Sequence, residues 1–262
     1  MASALRHHAH VGVSVSVTII VPCFNEAENV PRIARDLGAV AAQMATEESV
    51  ELLFVDDGSR DETASLLEAA KWPVPMRVLR HPTNRGLGAA VRTGVVHGST
   101  DALIVTDADG TYDFATIPRL RALLSGRIGI VTASPYHPDG AVEGVPGYRL
   151  ALSRGASTVY RLLVDRSVHT YTAMYRAYRS DVIRSTPFDS DGFLAMTEIM
   201  VNALRAGHRV AEFPATLRQR AFGQSKARVL QITRSHVRFI ARIIATPSGQ
   251  PVSRRLPVSA EI

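Results

Sequence analysis

Short apolar runs alternate with amphipathic stretches along the first part of the chain. Val17–Val21 (VTIIV) is rich in β-branched residues and stops at Pro22, the pattern of a buried strand. Helical spacing follows from about Glu26 to Met44, and Val50–Val55 (VELLFV) reads as a second strand ending in Asp56-Asp57-Gly58. Ser59 stands three residues before Glu62, a capping-box spacing that predicts a helix running toward Ala70. Met76–Leu79 reads as a third strand, Gly86–His97 as a helix, and Ala102–Thr106 (ALIVT) as a fourth strand ending in Asp107-Ala108-Asp109-Gly110. This alternation predicts an α/β fold with a mostly parallel sheet flanked by helices. Ligands of such sheets sit beyond the carboxyl ends of the strands, where Asn25/Glu26, Asp56/Asp57 and Asp107/Asp109 all fall.

The periodicity breaks between Ser134 and Gly147, where Pro135, Pro138, Gly140, Gly144, Pro146 and Gly147 predict a long loop. Tyr148–Leu163 and Phe193–Arg205 have helical spacing, and His208–Leu217 alternates like an edge strand. A polar loop, Arg218–Lys226, leads into a last helix near Val229–Ala245. That helix carries Val229, Ile232, Val237, Ile240, Ile243 and Ile244 on one stripe, with Arg234, Arg238 and Arg242 on roughly the opposite face. Two readings fit it: a helix packed on its own domain, or one docked on anionic lipid headgroups. The expected organisation is a loose segment 1–16, one domain over 17–246, and a loose tail 247–262. Within the domain, a donor half spans about 17–133 and an acceptor half about 134–246.

Composition narrows this picture. The chain has 262 residues, 46% hydrophobic and 21% charged, which suits a folded globular protein and not a disordered one. Its single cysteine, Cys23, excludes an intrachain disulfide framework and a cysteine zinc cluster. Met1–His10 has no apolar run of the signal-peptide kind. Val11–Asn25, interrupted by Ser14, Ser16, Thr18 and Pro22, falls short of the ~20 apolar residues a bilayer span needs. A cytoplasmic-type chain without a membrane span is expected. The net charge of +6 is unevenly spread: eleven basic residues against one acid, Glu212, between Arg205 and Arg255 give +10 there and leave −4 elsewhere. An acidic body with a basic C-terminal fifth, lacking any RNA or DNA motif, argues against nucleic acid as the partner.

Asp107-x-Asp109 at a strand terminus is the strongest chemical feature. Two hard oxygen ligands followed by Gly110 suit Mg²⁺ or Mn²⁺ completed by substrate phosphates. The alternative is a solvated turn in which one Asp caps the next helix. Gly86-x-Gly88, with Asp107 nineteen residues beyond Gly88, also resembles a dinucleotide fingerprint. That fingerprint needs a small residue where Val91 stands and should follow the first strand, so the two glycines are read as a tight turn into the helix.

Four motifs in order carry a family resemblance: Ile20-Val21-Pro22-Cys23-Phe24-Asn25-Glu26, Phe54-Val55-Asp56-Asp57-Gly58-Ser59, Asn84-Arg85-Gly86-Leu87-Gly88 and Asp107-Ala108-Asp109. From about Val17 to Lys226 the chain resembles the family 2 glycosyltransferases of GT-A fold, and among them the dolichol- or polyprenyl-phosphate mannosyltransferases. The resemblance implies a nucleotide-sugar donor with Pro22, Phe24, Glu26, Val55 and Asp57 around the nucleoside. It implies Asp107, Ala108 and Asp109 at the diphosphate, with Mg²⁺ or Mn²⁺ on Asp107 and Asp109. Glu143, Arg149, Ser153, Arg220, Ser225 and Lys226 would lie on the side of a lipid-phosphate acceptor, with Asp107, Asp109, Arg149 and Arg220 taking part in the reaction. Glu198 matches an acidic position near the sugar.

Several positions depart from the mannosyltransferase pattern. Thr111 stands where a metal-ligating Gln is usual and is the third metal candidate, with Asp113, the next acid, as the alternative. Ser134-Pro135-Tyr136 lacks an Arg, Thr170 replaces an Asp, and the Gly-Phe-Arg segment reads Ala173-Met174-Tyr175-Arg176. The expected function is inverting transfer of a hexose, mannose from GDP-mannose in the first instance, to a polyprenyl phosphate. A UDP-sugar donor, a hydroxyl acceptor, or a binding protein without turnover remain the alternatives. A hydroxyl acceptor would require a carboxylate base, for which Glu143, Asp189, Asp191 and Glu198 are the candidates. A lipid acceptor implies peripheral contact with the cytoplasmic membrane face or a membrane-anchored partner.

Overall fold

The computed structural model describes residues 15–220 and 229–257. Its strands are β1 (Val15–Cys23), β2 (Ser49–Asp56), β3 (Met76–Arg80), β4 (Ala102–Val105), β5 (Ile128–Ser134), β6 (Ala141–Glu143), β7 (Arg176–Arg179), β8 (Arg209–Pro214) and β9 (Thr216–Arg218). The helices are α1 (Val30–Met44), α2 (Thr63–Ala69), α3 (Leu87–His97), α4 (Ile117–Leu123), α5 (Gly147–Leu163), α6 (Ser180–Ser185), α7 (Leu194–Arg205) and α8 (Val229–Ala245). Seven strands form one sheet in the order β3-β2-β1-β4-β7-β5-β8, and β6 pairs with β9 in a small separate ribbon. All ladders are parallel except those of β7, which runs antiparallel to both β4 and β5.

The apolar runs form the central strands because both sheet faces are covered. On one face α1, α2 and α4 bury Ile33, Leu37, Ala41, Leu67, Ile117 and Leu120 against Ile19, Leu52 and Ile104. On the other, α3 and α7 bury Val91, Val95, Ile199 and Met200 against Ile20, Leu53 and Leu103. The parallel strands β1, β2 and β4 therefore deliver their carboxyl ends to one edge of the molecule.

Two strands of the large sheet have no counterpart in the sequence pattern. β7 reads Arg-Ala-Tyr-Arg, yet Arg176 is fully buried. Its guanidinium donates to the Thr132 hydroxyl and to the carbonyls of Tyr171 and Met196, so an arginine that looks like a surface residue has its donors satisfied inside. β5 contains Gly129, where a Cβ would meet the Val182 side chain at 2.9 Å, so α6 packs directly on the strand.

Three expectations are corrected. Ser59 does not cap α2: its hydroxyl accepts the Asn25 amide and its own amide goes to Asp56 Oδ1, while Asp61 Oδ1 takes the amide of Thr63. The edge strand over 208–217 is split at Pro214, which has no N–H to donate; β8 closes the large sheet and β9 leaves it to pair with β6 inside the expected loop. The segment after Pro247 is docked as far as Arg255. The Val252 amide donates to Asn202 Oδ1 at 2.7 Å, and Asp189 Oδ1 accepts the amides of Arg254 and Arg255.

The last helix has the expected bounds, but its apolar residues do not share one face. Phe239 and Ile243 are buried, whereas Leu230, Val237 and Ile244 are exposed. Arg242, expected on an outer ridge, donates to Asp189 Oδ2 at 2.8 Å and to the Val252 carbonyl.

Candidate active site

The chain leaves β4 in a tight turn that presents two carboxylates. Gly110 has φ +77, a backbone conformation that favours glycine, and the Arg32 guanidinium packs over it. Arg32 Nη2 donates to the Ala108 carbonyl at 2.9 Å and clamps the turn from α1. Asp109 is 7% exposed, and its Oδ1 accepts the amide of Thr111 at 3.1 Å. Its Oδ2 accepts from Arg220 Nη2 at 2.5 Å. Asp107 lies close to the Thr111 side chain, and its Oδ2 is buried without a hydrogen-bond partner. Burial, followed by the neighbouring Asp109 charge, pushes the Asp107 carboxyl well above the usual range.

The small β6–β9 ribbon brings Arg220 to this turn. The Arg218 amide donates to the Thr111 carbonyl at 2.9 Å and the Gln219 amide to the Glu143 carbonyl at 3.0 Å. Arg218 also pairs with Glu143 at 3.2 Å. Residues more than a hundred positions apart in the chain thus meet at the Asp107–Asp109 pair.

The neighbouring rim is built from the ends of β1 and β2. Asn25 adopts φ 53, a left-handed conformation that Asn tolerates, and its Oδ1 accepts the Arg60 amide. The Glu26 amide donates to the Thr63 hydroxyl, and Glu26 Oε2 accepts from Asn29 at 2.6 Å. Pro22 and Phe24 are half-buried on this rim. Asp57 has four donors: His81 and the Arg85 amide on Oδ1, Asn84 and the Gly86 amide on Oδ2. It therefore ties the loop 81–86 to the end of β2. Val55, expected beside a nucleoside, has its side chain fully buried in the core under α3.

A third wall is the turn 190–192, seated on the start of α3. A Cβ at Gly86 would lie 2.4 Å from the Asp191 carbonyl, and one at Gly88 2.3 Å from the Ser190 carbonyl. The two glycines thus serve close backbone approach as well as turning the chain. Glu198 Oε2 accepts the amides of Asp189 and Ser190 at 2.7 and 2.8 Å, and burial raises its carboxyl pKa.

On the acceptor side, Ser153 of α5 is hydrogen-bonded to Thr172 at 2.7 Å, and Arg149 is half-buried one turn earlier. The hydroxyls of Ser134 and Thr170 pair at 2.7 Å within the interior. Ser225 and Lys226 lie outside the described residues. The structure thus brings Asp107, Asp109, Thr111 and Arg220 into contact, and engages Ser153 with Thr172. Arg32 and His81 were not singled out from the sequence: Arg32 acts across 76 residues, and no local pattern marks either.

The mostly parallel sheet with helices on both faces defines an α/β protein of the GT-A type. The family model for glycosyl transferase family 2 matches residues 18–186, and the chain belongs to that family. The polyprenol monophosphomannose synthase of Mycolicibacterium smegmatis is 34% identical over 79% of this chain and 79% of its own length. The undecaprenyl-phosphate mannosyltransferase of Micrococcus luteus is 32% identical over 80% of this chain and 86% of its own. Among solved structures, glucosyl-3-phosphoglycerate synthase from Mycobacterium tuberculosis, in complex with Mn²⁺, UDP and phosphoglyceric acid, superposes with a TM-score of 0.64. It shares 18% identity over 87% of this chain and 77% of that one, a likeness of fold.

Proposed function

We propose that this glycosyltransferase transfers a hexose, mannose from GDP-mannose, with inversion onto a polyprenyl phosphate, using a divalent cation. The observation that carries the acceptor class is the state of the acids. Glu143 is paired with Arg218, Asp189 with Arg242 and two tail amides, Asp191 with Arg92, and Glu198 with two backbone amides. Each acid considered as a base is thus already engaged by cations or amides. A phosphate acceptor needs no base, because its second pKa near ~6 leaves it mostly dianionic at neutral pH. The two bacterial relatives are named for polyprenol and undecaprenyl phosphate, which supports the same acceptor class and mannose as the sugar.

The residues present fit a cation. Asp107 offers a buried oxygen with no donor, Asp109 lies two residues on, and Thr111 supplies a hydroxyl beside them. Among the described residues no cluster of three or more His, Cys, Asp or Glu forms, so a bound ion would take its remaining ligands from phosphate and water. When bound, Mg²⁺ or Mn²⁺ would stabilise the charge that grows on the departing diphosphate. Asp107 and Asp109 would hold the ion, Arg32 fixes the turn that carries them, and Arg149 and Arg220 would orient phosphate through charge-assisted hydrogen bonds.

A lipid acceptor requires a route to the bilayer. No helix among the described residues is long and apolar enough to cross a membrane. α5 instead exposes Tyr148, Leu152, Val159, Leu162 and Leu163, and α8 exposes Leu230, Val237 and Ile244 beside Arg234 and Arg238. The two helices meet through Tyr160, whose hydroxyl pairs with His236 Nδ1 at 2.8 Å. We assign this apolar face with its arginine border to peripheral contact with an anionic membrane.

A donor screen by thermal shift with Mn²⁺ tests the sugar-nucleotide assignment. GDP-mannose is expected to raise the melting temperature more than UDP-glucose or UDP-GlcNAc; a larger shift with either UDP-sugar would replace the donor.

A further inference from the structure

Arg220, two residues beyond β9, reaches the carboxylate turn with its side chain and donates to Asp109. Asp109 Oδ1 accepts a main-chain amide, that of Thr111, whereas the donor on Oδ2 is a side chain that can leave, so Oδ2 is the oxygen more readily freed for a metal. Oδ2 is also the atom that Arg220 holds, in a pair whose side chains are only 24% and 10% exposed. We infer that Arg220 is the resident counter-cation of Asp109, and that a divalent ion and the Arg220 guanidinium occupy Asp109 Oδ2 in turn. This rests on the reading of Asp107 and Asp109 as the cation site.

Geometry and charge both make the two occupants exclusive. A metal on Oδ2 would sit roughly 2.0–2.2 Å from it, with its other ligands filling the space around that oxygen. A guanidinium in hydrogen-bond contact with the same oxygen would then lie against a doubly charged ion in a poorly solvated turn. The backbone that precedes Arg220 is hydrogen-bonded in place. The amides of Arg218 and Gln219 are tied to Thr111 and Glu143, so the stem of the residue stays where it is while the side chain swings.

The released group is well suited to what arrives with the metal. A guanidinium is a planar fork that matches phosphate oxygens, and it stays charged at any physiological pH. Metal loading would therefore transfer Arg220 from a carboxylate to a phosphate. In the unloaded enzyme the same residue neutralises Asp109 and keeps the carboxylate pair from standing as two uncompensated charges. The device orders the events: the cation first, the arginine onto phosphate second.

The test uses the full-length enzyme without donor or acceptor. Mn²⁺ binding is measured by electron paramagnetic resonance, and modification of Arg220 by phenylglyoxal is followed by peptide mass spectrometry. Arg220→Ala is expected to bind Mn²⁺ about tenfold more tightly than wild type, within the range of ordinary site coupling. In wild type, saturating Mn²⁺ is expected to raise labelling of Arg220 several-fold. In Asp109→Asn the labelling is expected to be high at the outset and insensitive to Mn²⁺. A bystander charge would also tighten Mn²⁺ binding when removed, but it would not change its own reactivity. Mn²⁺ that binds wild type and leaves Arg220 labelling unchanged overturns the exchange alone, as does unchanged or weaker Mn²⁺ binding by Arg220→Ala. Failure of wild type to bind Mn²⁺ alone, with binding restored by added GDP, overturns the exchange, and failure with GDP present overturns the cation site as well.

Discussion

Asp56-Asp57 and Asp107-x-Asp109 look alike in the sequence: each is a pair of acids closing an apolar strand, followed by glycine. In the fold they differ: Asp56 Oδ2 also lacks a hydrogen-bond partner but faces the Arg80 guanidinium at 3.4 Å, and its neighbour Asp57 is fully engaged. Asp57 is 3% exposed and takes four hydrogen bonds from His81, Asn84 and the amides of Arg85 and Gly86. Asp107 keeps a buried oxygen with no donor, and Asp109 leans on a guanidinium that arrives from the far end of the domain. A carboxylate saturated by its own chain is a structural joint. One left short of donors in a buried turn is available for a cation. An acidic strand terminus is thus assigned by where its hydrogen bonds come from, and the residue types alone do not decide it.

Exchanging each acid for its amide breaks this comparison most sharply. Asp109→Asn is expected to lower turnover at least about a hundredfold, the size of effect seen when one electrostatic contact to a developing charge is lost. Its circular dichroism and melting temperature should stay near wild type. Asp57→Asn is expected to do the reverse. It replaces an acceptor-only group facing four donors, and stability should fall by about 2–3 kcal/mol in urea unfolding, with Mn²⁺ binding unchanged. Equal stability loss in both variants would erase the distinction.

A smaller effect concerns the other side of the molecule. Burial between α5 and α8 pushes the His236 imidazole down to about 4, against 6.5 ordinarily. Between those values the unfolded chain binds the proton and the folded one does not, so stability falls as pH drops from about 6.5 toward 4. The loss attributable to this residue is at most about 3 kcal/mol. Melting curves across that window should show it, and His236→Gln should flatten them; an equally steep decline in the variant would locate the sensitivity elsewhere.

The part of the fold that was legible from sequence is the part where local pattern and burial agree. β1, β2 and β4 are apolar runs covered on both faces, and their ends announced the site. β7 was not legible because Arg176 and Arg179 mimic a surface turn, and only the carbonyls of Tyr171 and Met196 explain why an arginine lies inside. Ser59 met the capping spacing but was drawn to Asn25 instead, a tertiary contact that overrode a local rule. The candidate carboxylates were visible as residue types, whereas Arg32, His81 and the contact of Arg220 with Asp109 depend on chain segments brought together only by folding. The exposed apolar residues on α5 and α8 were likewise hidden, because periodicity shows that a helix has an apolar side without showing which side is covered.

Metal-dependent transfer of a sugar to a lipid phosphate is the reaction proposed for the Asp107–Asp109 turn. The direct measurement follows radiolabelled mannose from GDP-mannose to polyprenyl phosphate carried in anionic phospholipid vesicles, with Mn²⁺ present. The expected result is label on the vesicle lipid, enzyme sedimenting with the vesicles, and loss of transfer in EDTA and in Asp109→Asn. Transfer that persists in EDTA, or label that reaches only a hydroxyl acceptor in solution, would contradict it.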